Sequence, residues 1–487
     1  MRTTITIAIA AILGATLSPA EAVTLNPRGT GQVLIYPYYT VNAGFSTLLS
    51  VVNTTAQGKA LKVHIREGHD GRDVLIFNLY LSPYDAWVAQ IFDPGSGSGG
   101  AAIATNDNSC TVPTFPPVGA GAAAFRDAGY TGANADGGPT GITRTREGYI
   151  EIIEMGTVTN EHHSTLSAIT HGSSGVPSSC PQLIQAWSTG GYWTTDANTD
   201  IGVPTGGLYG AESIINVGEG LMYTVNAEAI DGFSSVAQHA PPGNATPDLG
   251  SASKSGDGTV SAFVPVGSGM VEAKYDHPED AISALFMADN LYHEFVIAPG
   301  VGARSDWIVA LPTKRFYTDP ALIDASGARL PFDEKFGSHG GASCSPIRRV
   351  LADRDGMESA AGDCGFICPT LPFATLCYAT NALEFANGSG LGSNLTYPVM
   401  IDHVFGPTTG HLRIDLTSGE AGGSESNHVL TSGNGLALRG LPAIGFLAVD
   451  YINANSTPGV LANYSGVYRH KSTVACSSSA NAPATCP

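Results

Sequence analysis

Runs in which apolar and polar residues alternate dominate the chain, and a period of two is typical of β-strands. The clearest run is 60–67, where aliphatic and basic side chains occupy opposite faces: Leu61, Val63 and Ile65, then Lys62, His64 and Arg66. Further strands are predicted at 32–41, 46–53, 73–81, 86–92, 148–155, 307–314, 399–404, 411–416, 443–452 and 460–468, with a hairpin at 212–225. This spacing predicts a mostly β fold of one or two antiparallel, immunoglobulin-like β-sandwiches with long loop insertions and one or two short helices.

Two segments follow a helical period instead. Residues 180–188 place Pro181 at the first helical position, where proline is tolerated. In 278–295, Pro278 takes that position, and Glu279 and Asp280 suit the positive end of the helix dipole. The apolar stripe of this second helix consists of Ile282, Leu285, Phe286 and Tyr292. His293 is then expected near its negative C-terminal end.

Composition divides the chain into segments. Residues 1–22 are predicted to be a secretory signal peptide, with Arg2 before an apolar stretch and an Ala20-Glu21-Ala22 cleavage site. No transmembrane segment is expected after cleavage. An N-terminal β-sandwich region is predicted at 23–239, with a long insertion at 93–145. Residues 240–258 are either a linker or a surface loop, and 259–487 form a β-rich region that contains the 278–295 helix and a cysteine-rich insertion at 319–377.

The charge balance narrows the possible partners. The 487 residues include 23 Lys and Arg against 42 Asp and Glu, which gives a net charge of −19. Nucleic acid is therefore excluded as an expected partner, because its binding normally requires a basic face. Glycine (60) and proline (30) are concentrated between the strand blocks. The insertions are therefore where a binding function is expected.

Eight cysteines favour an oxidising, exported location, where disulfides persist. They are Cys110, Cys180, Cys344, Cys364, Cys368, Cys377, Cys476 and Cys486. Proximity in sequence suggests that the last two pair with each other, that the middle four pair among themselves and that the first two close the N-terminal insertion. A zinc site made by the middle four is the alternative, although the spacing of Cys364 and Cys368 is loose for one.

Two acidic loops are candidate calcium sites, since carboxylate and amide oxygens alternate in them. The candidate ligands are Asp196, Asn198 and Asp200 in one loop, and Asp353 and Asp355 in the other. Neither loop has the spacing of an EF-hand. Ordinary turns, in which Asp and Asn bond to their own backbone, are the competing interpretation.

Aromatic residues supply a second kind of candidate site. Tyr192 and Trp193 follow a Gly-Gly turn and are candidates for stacking on a ligand or a partner, with local packing as the alternative. The densest histidine group, His162 and His163, indicates a polar loop because adjacent side chains diverge. The chain contains no nucleophile elbow, phosphate-binding loop or H-E-x-x-H motif, so no catalytic residues are predicted.

Several segments resemble uncharacterised exported β-rich proteins of Gram-negative bacteria. The segments are GQVLIYPYYTVNAGFSTLLSVVNTT (31–55), NLYLSPYDAWVAQ (78–90), REGYIEIIEMG (146–156), DWIVALPTKRFY (306–317) and VLANYSGVYRH (460–470). The resemblance implies one shared architecture and a location in the envelope or at the cell surface. It implies no activity and no site residues.

Taken together, these patterns favour a non-enzymatic secreted or cell-surface protein with a structural, adhesive or assembly role. Its expected partners are other envelope or surface proteins or glycans. The alternative is a secreted hydrolase or carbohydrate-binding protein with a loop-lined site that calcium supports. A periplasmic small-ligand binder ranks third, because alternating strands and helices are missing.

Overall fold

The predicted strands form a set of mostly antiparallel sheets. The computed structural model describes residues 22–95, 97, 99–359, 374–385, 389–399, 407–417, 427–452, 460, 462–480 and 482–487. The predicted signal peptide, apart from Ala22, lies outside these residues. Among the described residues, no helix is long and apolar enough to span a lipid bilayer.

Five short α-helices are present in the described residues: α1 (Thr165–Ile169), α2 (Cys180–Ala186), α3 (Tyr192–Thr195), α4 (Pro278–Phe286) and α5 (Arg315–Thr318). The strands are β1 (Ala22–Leu25), β2 (Val33–Thr40), β3 (Ser46–Asn53), β4 (Gly58–Glu67), β5 (Asp73–Leu81), β6 (Ala86–Phe92), β7 (Ala102–Ala104), β8 (Cys110–Val112), β9 (Ala123–Ala124), β10 (Glu147–Val158), β11 (Ile201–Gly202), β12 (Leu208–Asn216), β13 (Leu221–Asn226), β14 (Glu228–Asp231), β15 (Val260–Val266), β16 (Gly269–Tyr275), β17 (Met287–Ala288), β18 (Asn290–Val296), β19 (Ala303–Ala310), β20 (Ser345–Pro346), β21 (Arg348–Asp353), β22 (Glu358–Ser359), β23 (Thr375–Leu376), β24 (Thr380–Glu384), β25 (Thr396–Pro398), β26 (Thr409–Asp415), β27 (Val429–Thr431), β28 (Leu436–Arg439), β29 (Leu441–Pro442), β30 (Ile444–Ile452), β31 (Asn463–Arg469), β32 (Lys471–Thr473) and β33 (Ala475–Ser478).

Two large sheets pack face to face and form what we call the large sandwich. The ten-stranded sheet has the order β16-β15-β1-β14-β2-β10-β4-β5-β8, with β11 attached to β10, and the six-stranded sheet has the order β13-β12-β3-β6-β7-β9. Their inner faces share one buried core, in which Val63 belongs to the first sheet and Val51 and Trp87 belong to the second. The mostly β, antiparallel prediction is confirmed. The immunoglobulin-like detail stays a prediction.

The ten-stranded sheet continues past the predicted boundary at 240–258. Strands β15 and β16 follow that segment in the chain, and β15 joins the sheet through a parallel pairing with β1. Leu249, inside the segment, is fully buried. The predicted alternatives for this segment are a linker and a surface loop, and the buried Leu249 favours a loop that packs against the sheet. The insertion at 93–145 also packs against the large sandwich, because it contains β7, β8 and β9 and buries Phe125 and Tyr130 in the sandwich core.

The outer face of the ten-stranded sheet is charged but buried. The alternation predicted for 60–67 is present, with Leu61 in the sandwich core and Lys62 on the opposite face, both fully buried. Arg66 pairs with Glu151 at 2.9 Å, and neither side chain is exposed. Later chain segments cover these charges and supply carbonyl oxygens to them.

Two five-stranded sheets form a second, smaller sandwich. One has the order β22-β21-β26-β18-β32 and is called the β18 sheet here, while the other has the order β25-β24-β19-β30-β31 and is called the β19 sheet. Phe295 of β18 stacks on Phe385, which follows β24, with 4.9 Å between the ring centroids. The two sheets therefore face each other across a shared apolar layer.

The predicted helix at 278–295 is wrong beyond Phe286. It begins at Pro278 as expected, but Met287 has φ −57° and ψ 128°, which are not helical values. Met287–Ala288 pairs with Leu441–Pro442, and Asn290–Val296 lies as β18 between β26 and β32. Strand pairing satisfies the backbone hydrogen bonds here. Leu291 and Phe295 are four residues apart, a spacing that places them on one face of a helix and also on one face of a strand, and both are buried. His293 is therefore a strand residue, not a helix cap.

The two predicted disulfide pairs are confirmed, and a third disulfide agrees with the predicted pairing among the middle four cysteines. Cys110 is bonded to Cys180 and joins β8 to α2, Cys344 is bonded to Cys377, and Cys476 is bonded to Cys486. Each cysteine in the described residues is therefore oxidised, and the zinc alternative is wrong for Cys344 and Cys377. Cys364 and Cys368 lie outside the described residues.

Candidate functional site

The first candidate calcium loop forms turns and caps. Asp200 is buried, and its two carboxylate oxygens accept hydrogen bonds from the backbone N–H groups of His162 (2.6 Å) and His163 (2.9 Å). Asp196 accepts from the backbone N–H of Asn198 at 3.0 Å, which is an Asx turn. These oxygens therefore bond to N–H groups of the chain itself.

The second loop has a similar arrangement. Asp353 Oδ1 accepts from the backbone N–H groups of Asp355 (2.9 Å) and Met357 (2.8 Å), and Asp355 itself is exposed. Within the part of the chain that the structure describes, no group of three or more His, Cys, Asp or Glu side chains is placed to hold a metal ion. The structure does not bring the two loops together into one site.

The aromatic pair at 192–193 divides between surface and core. Trp193 is almost fully buried, because its ring stacks on Tyr80 with 5.6 Å between centroids and its Nε1 donates to the carbonyl oxygen of Thr199 at 2.9 Å. Trp193 is therefore not available for stacking on a ligand or a partner, and the alternative of local packing applies to it. Tyr192 is partly exposed and stacks on His163 at 4.0 Å. Local packing explains both rings.

The sequence did not single out a cleft that lies between the β18 and β19 sheets. It has a volume of about 530 Å³. Ligand sites usually measure about 300–1,000 Å³. One wall is formed by β19, β30 and β31, and the other by β18, β26 and the turn between β21 and β22. The cleft is therefore an opening in the small sandwich.

The strand register gives the first wall its aromatic character. On β30 and β31, Leu447 pairs with Tyr468, and Tyr451 pairs with Tyr464. Residues directly opposite in an antiparallel pair share a face, so these side chains all project from the same side of the sheet. Tyr451 and Tyr468 line the cleft, while Tyr464 lies next to it and is 67% exposed.

Gly466 gives the Tyr468 ring its position. A Cβ atom at Gly466 would lie 3.1 Å from Cε2 and 3.3 Å from the hydroxyl oxygen of Tyr468. The ring therefore lies across the backbone of Gly466, where no side chain competes for the space. One side of the ring remains open, since Tyr468 is 50% exposed. This geometry presents a flat aromatic surface to the cleft.

The opposite wall is also shaped by a missing side chain. Gly410 of β26 lies between Phe295 of β18 and Asp353 of β21 in the sheet register. A Cβ atom at Gly410 would collide with the carbonyl oxygen of Ala352. Glycine is thus required at this point, and its small size leaves space in the cleft opposite the tyrosines.

Polar groups surround the mouth of the cleft. Glu294 and His411 border the cleft and are directly opposite each other on neighbouring strands, but their exposed side chains project from the opposite face to Phe295 and Leu412. Arg354 and Asp353 line the turn between β21 and β22. Ser305 Oγ bonds to both the N–H and the carbonyl of Val296, at 3.0 and 2.8 Å, and so joins the two walls. The cleft thus offers hydrogen-bond donors and acceptors beside an aromatic surface.

A cluster of uncharged rings supports Tyr468 from behind. His293 is 5.9 Å from Tyr468 and His470 is 4.8 Å from Trp307, measured between ring centroids. Burial lowers the pKa of His470 to about 3 and also lowers the pKa of His293. Both imidazoles are therefore neutral at pH 7. His293 Nδ1 accepts from the backbone N–H of Glu294, so its proton is assigned to Nε2.

One pattern in the sequence could have indicated this site. In Tyr464-Ser465-Gly466-Val467-Tyr468, two tyrosines flank a glycine at a period of two. Two aromatic residues on one strand face with glycine between them leave ring surface uncovered. Whether that face is buried depends on the opposite sheet, which local sequence does not reveal.

Comparisons with protein-family models, with curated proteins and with solved structures give no match for this chain. What the cleft binds is therefore inferred from its own geometry.

Proposed function

We propose that the protein is an exported, non-enzymatic adhesive protein that binds a glycan in the cleft between the β18 and β19 sheets. The observation that carries the proposal is the half-exposed Tyr468 ring, which lies flat across Gly466 inside the cleft. The C–H face of a sugar ring is apolar and fits such a surface, while a tyrosine hydroxyl supplies a polar contact at its edge.

The polar groups of the cleft support the same ligand class. Sugar hydroxyls both donate and accept hydrogen bonds, and the carboxylate of Asp353 and the guanidinium of Arg354 provide complementary groups at the cleft. The cleft contains both signs of charge, and the chain carries a net charge of −19. A neutral glycan is therefore favoured over an anionic polymer, which the acidic surface repels.

Export is supported by two features. Disulfides persist in oxidising compartments, and the described residues contain three of them. The predicted signal peptide at 1–22 and the resemblance to exported β-rich proteins agree with this location. Adhesion is the proposed role because the binding surface is an open cleft with exposed aromatic residues at its edge.

The test is binding to a panel of neutral polysaccharides by titration calorimetry, with Tyr468→Ala as the central variant. Loss of the ring is expected to weaken binding by at least about tenfold, which corresponds to about 1.4 kcal/mol. Tyr84→Ala is the matched control, because Tyr84 is 70% exposed and lies in the turn between β5 and β6, far from the cleft lining. Equal binding by both variants would contradict the proposal, as would failure of the wild-type protein to bind any member of the panel.

A second measurement separates adhesion from hydrolysis. Asp353 lines the cleft, and carboxylates are also what glycosidases use. Reducing ends are therefore counted after prolonged incubation with each polysaccharide that binds. A binding protein leaves the count unchanged, whereas turnover that is lost in Asp353→Asn would assign the cleft to a hydrolase.

A further inference from the structure

The outer face of the six-stranded sheet carries no charge. Side chains alternate between buried and exposed along β3, β6, β12 and β13. In these four strands, each of which the structure describes completely, the outward positions contain no Lys, Arg, Asp or Glu. They contain instead aliphatic, aromatic and small uncharged polar residues. We call this surface the neutral face.

Large apolar side chains on the neutral face are exposed. The exposed fractions are 41% for Leu48, 53% for Val88, 45% for Tyr209 and 53% for Met222. They are distributed over all four strands, with small or uncharged polar residues between them: Leu48, for example, lies between Ser213 and Gln90 in the register. A sheet face with exposed large apolar side chains and no charge is a candidate interface.

Three hydroxyl groups of the neutral face have partners within the sheet. Ser50 Oγ donates to the carbonyl oxygen of Ala211 at 3.0 Å, and the hydroxyls of Ser213 and Thr224 are 2.9 Å apart. Polar groups that keep their hydrogen bonds lose less on removal from water. These three residues are thus compatible with burial against another protein surface.

We propose that the neutral face is the contact surface for a second copy of this chain, which pairs with the first across a two-fold axis. Two copies each carry a net charge of −19 and repel each other over most of their surfaces. The neutral face lets two copies meet without placing like charges in contact. A two-fold contact also requires a surface that complements itself, and an uncharged sheet face meets that requirement.

The area of the face is adequate for such a contact. Strands lie about 4.8 Å apart and rise about 3.3 Å per residue, so four strands of about eight residues cover roughly 500 Å². Burying two such faces removes roughly 1,000 Å², which is about the level expected of a specific interface. Sheets packed face to face in this way are a common arrangement in protein cores.

Carboxylates border the neutral face, and one of them has a cationic partner. Asp107 accepts from the backbone N–H of Val88, and Glu219, in the turn between β12 and β13, pairs with Arg304 at 3.1 Å. The repulsion between two copies therefore comes mainly from the net charge of −19 that each carries. Salt is therefore expected to strengthen the dimer, since it screens this repulsion.

The test is sedimentation velocity of the full chain from about 1 to about 200 µM, at about 0.05 M and about 0.5 M NaCl. The wild-type protein is expected to form a concentration-dependent dimer that tightens with salt. Leu48→Glu and Met222→Glu are each expected to raise the dimer Kd by at least about tenfold, because the two-fold axis doubles every added charge. Met270→Glu is the matched control, as Met270 is 58% exposed on β16 of the other sheet.

Three results would overturn the proposal: a monomer at every concentration and salt level, a dimer that salt weakens, or an unchanged dimer in both variants. Circular dichroism of each variant checks folding. Met222 lies on the edge strand β13, so Met222→Glu keeps the test decisive even where Leu48→Glu, on the central strand β3, fails to fold. The proposal does not depend on the cleft, because the neutral face and the cleft involve different sheets.

Discussion

The two outer faces of the large sandwich reverse the usual relation between charge and exposure. On the ten-stranded sheet, Lys62 and Arg66 point away from the sandwich core and are fully buried. On the six-stranded sheet, Val88 and Tyr209 also point away from the core, and they are exposed and uncharged. Charged residues are almost never fully buried unless they are paired. The buried charges of the ten-stranded sheet must therefore be covered and paired, and the exposed apolar side chains of the six-stranded sheet require a different explanation.

The charged face is covered by segments that are distant in sequence. Lys62 Nζ donates to the carbonyl oxygen of Pro241 at 2.7 Å, and His64 Nε2 lies 2.8 Å from the carbonyl oxygen of Pro247. The charges of this face are thus compensated within the chain. Within the described part of the chain no segment covers the neutral face in this way, and we infer that a second copy does so.

The largest expected effect is at Arg66, which pairs with Asp73 at 3.1 Å and with Glu151 at 2.9 Å. Burial alone would lower the pKa of Arg66, but the two carboxylates more than offset it and raise the pKa above its ordinary value. Arg66→Met leaves Glu151 as an uncompensated buried charge. We expect the free energy of unfolding to fall by about 3–5 kcal/mol, measured by urea denaturation with the disulfides intact.

Two further variants sharpen the result for Arg66. Arg348→Met, at an exposed position on β21, is the control and is expected to change stability by less than about 0.5 kcal/mol. Arg66→Met combined with Glu151→Leu is expected to recover part of the loss, because no unpaired glutamate remains. A cost for Arg66→Met similar to that of the control would mean that water reaches this face, and the contrast between the two faces would fail.

The sequence predicted the orientation of these side chains but not their environment. The alternation in 60–67 correctly separates Leu61, Val63 and Ile65 from the basic residues, since a period of two is a local property. Burial of the basic face depends on contacts such as that between His64 Nε2 and the carbonyl oxygen of Pro247, which are 183 residues apart in sequence. No local pattern records such a contact.

The candidate site was predictable to a similar extent. The strands at 443–452 and 460–468 were predicted, and β30 and β31 confirm them. The pairing of Tyr451 with Tyr464 and of Leu447 with Tyr468 was not predictable, because it depends on the turn and the register between the strands. The error at 287–295 has the same origin: Leu291 and Phe295 suit a helix, and only the pairing of β18 with β26 decides for a strand.

A smaller effect is expected from the titration of Lys62. Burial lowers the pKa of Lys62 to about 7, although Asp73 acts in the opposite direction. In the unfolded chain the pKa of lysine is about 10.4, so between about pH 7 and pH 10 the unfolded state binds more protons than the folded state. Stability should therefore rise with pH across this window, by up to about 1.4 kcal/mol per pH unit.

Lys62→Met is expected to remove this part of the pH dependence, as measured by urea denaturation at several pH values between about 7 and 9.5. Lys254→Met is the matched control, because Lys254 is exposed in the segment that covers this face, and its pH profile should follow the wild type. Parallel profiles for Lys62→Met and the wild type would show that Lys62 is as well solvated in the folded protein as in the unfolded chain.

The smallest effect on stability is expected on the neutral face. The same Val→Thr substitution can be compared there and in the sandwich core, at an exposed position and at a buried one. Val88→Thr is expected to change stability by less than about 0.5 kcal/mol at low protein concentration, since an exposed hydroxyl remains hydrated. Val63→Thr, which buries the hydroxyl in the sandwich core, is expected to cost about 1–3 kcal/mol.

At high protein concentration the dimer adds to the measured stability, so the Tm of the wild type should rise with concentration. The Tm of Leu48→Glu should rise much less. A wild-type Tm that is independent of concentration would mean that the neutral face stays exposed, and the difference between the two faces would then lie only in which one the chain itself covers.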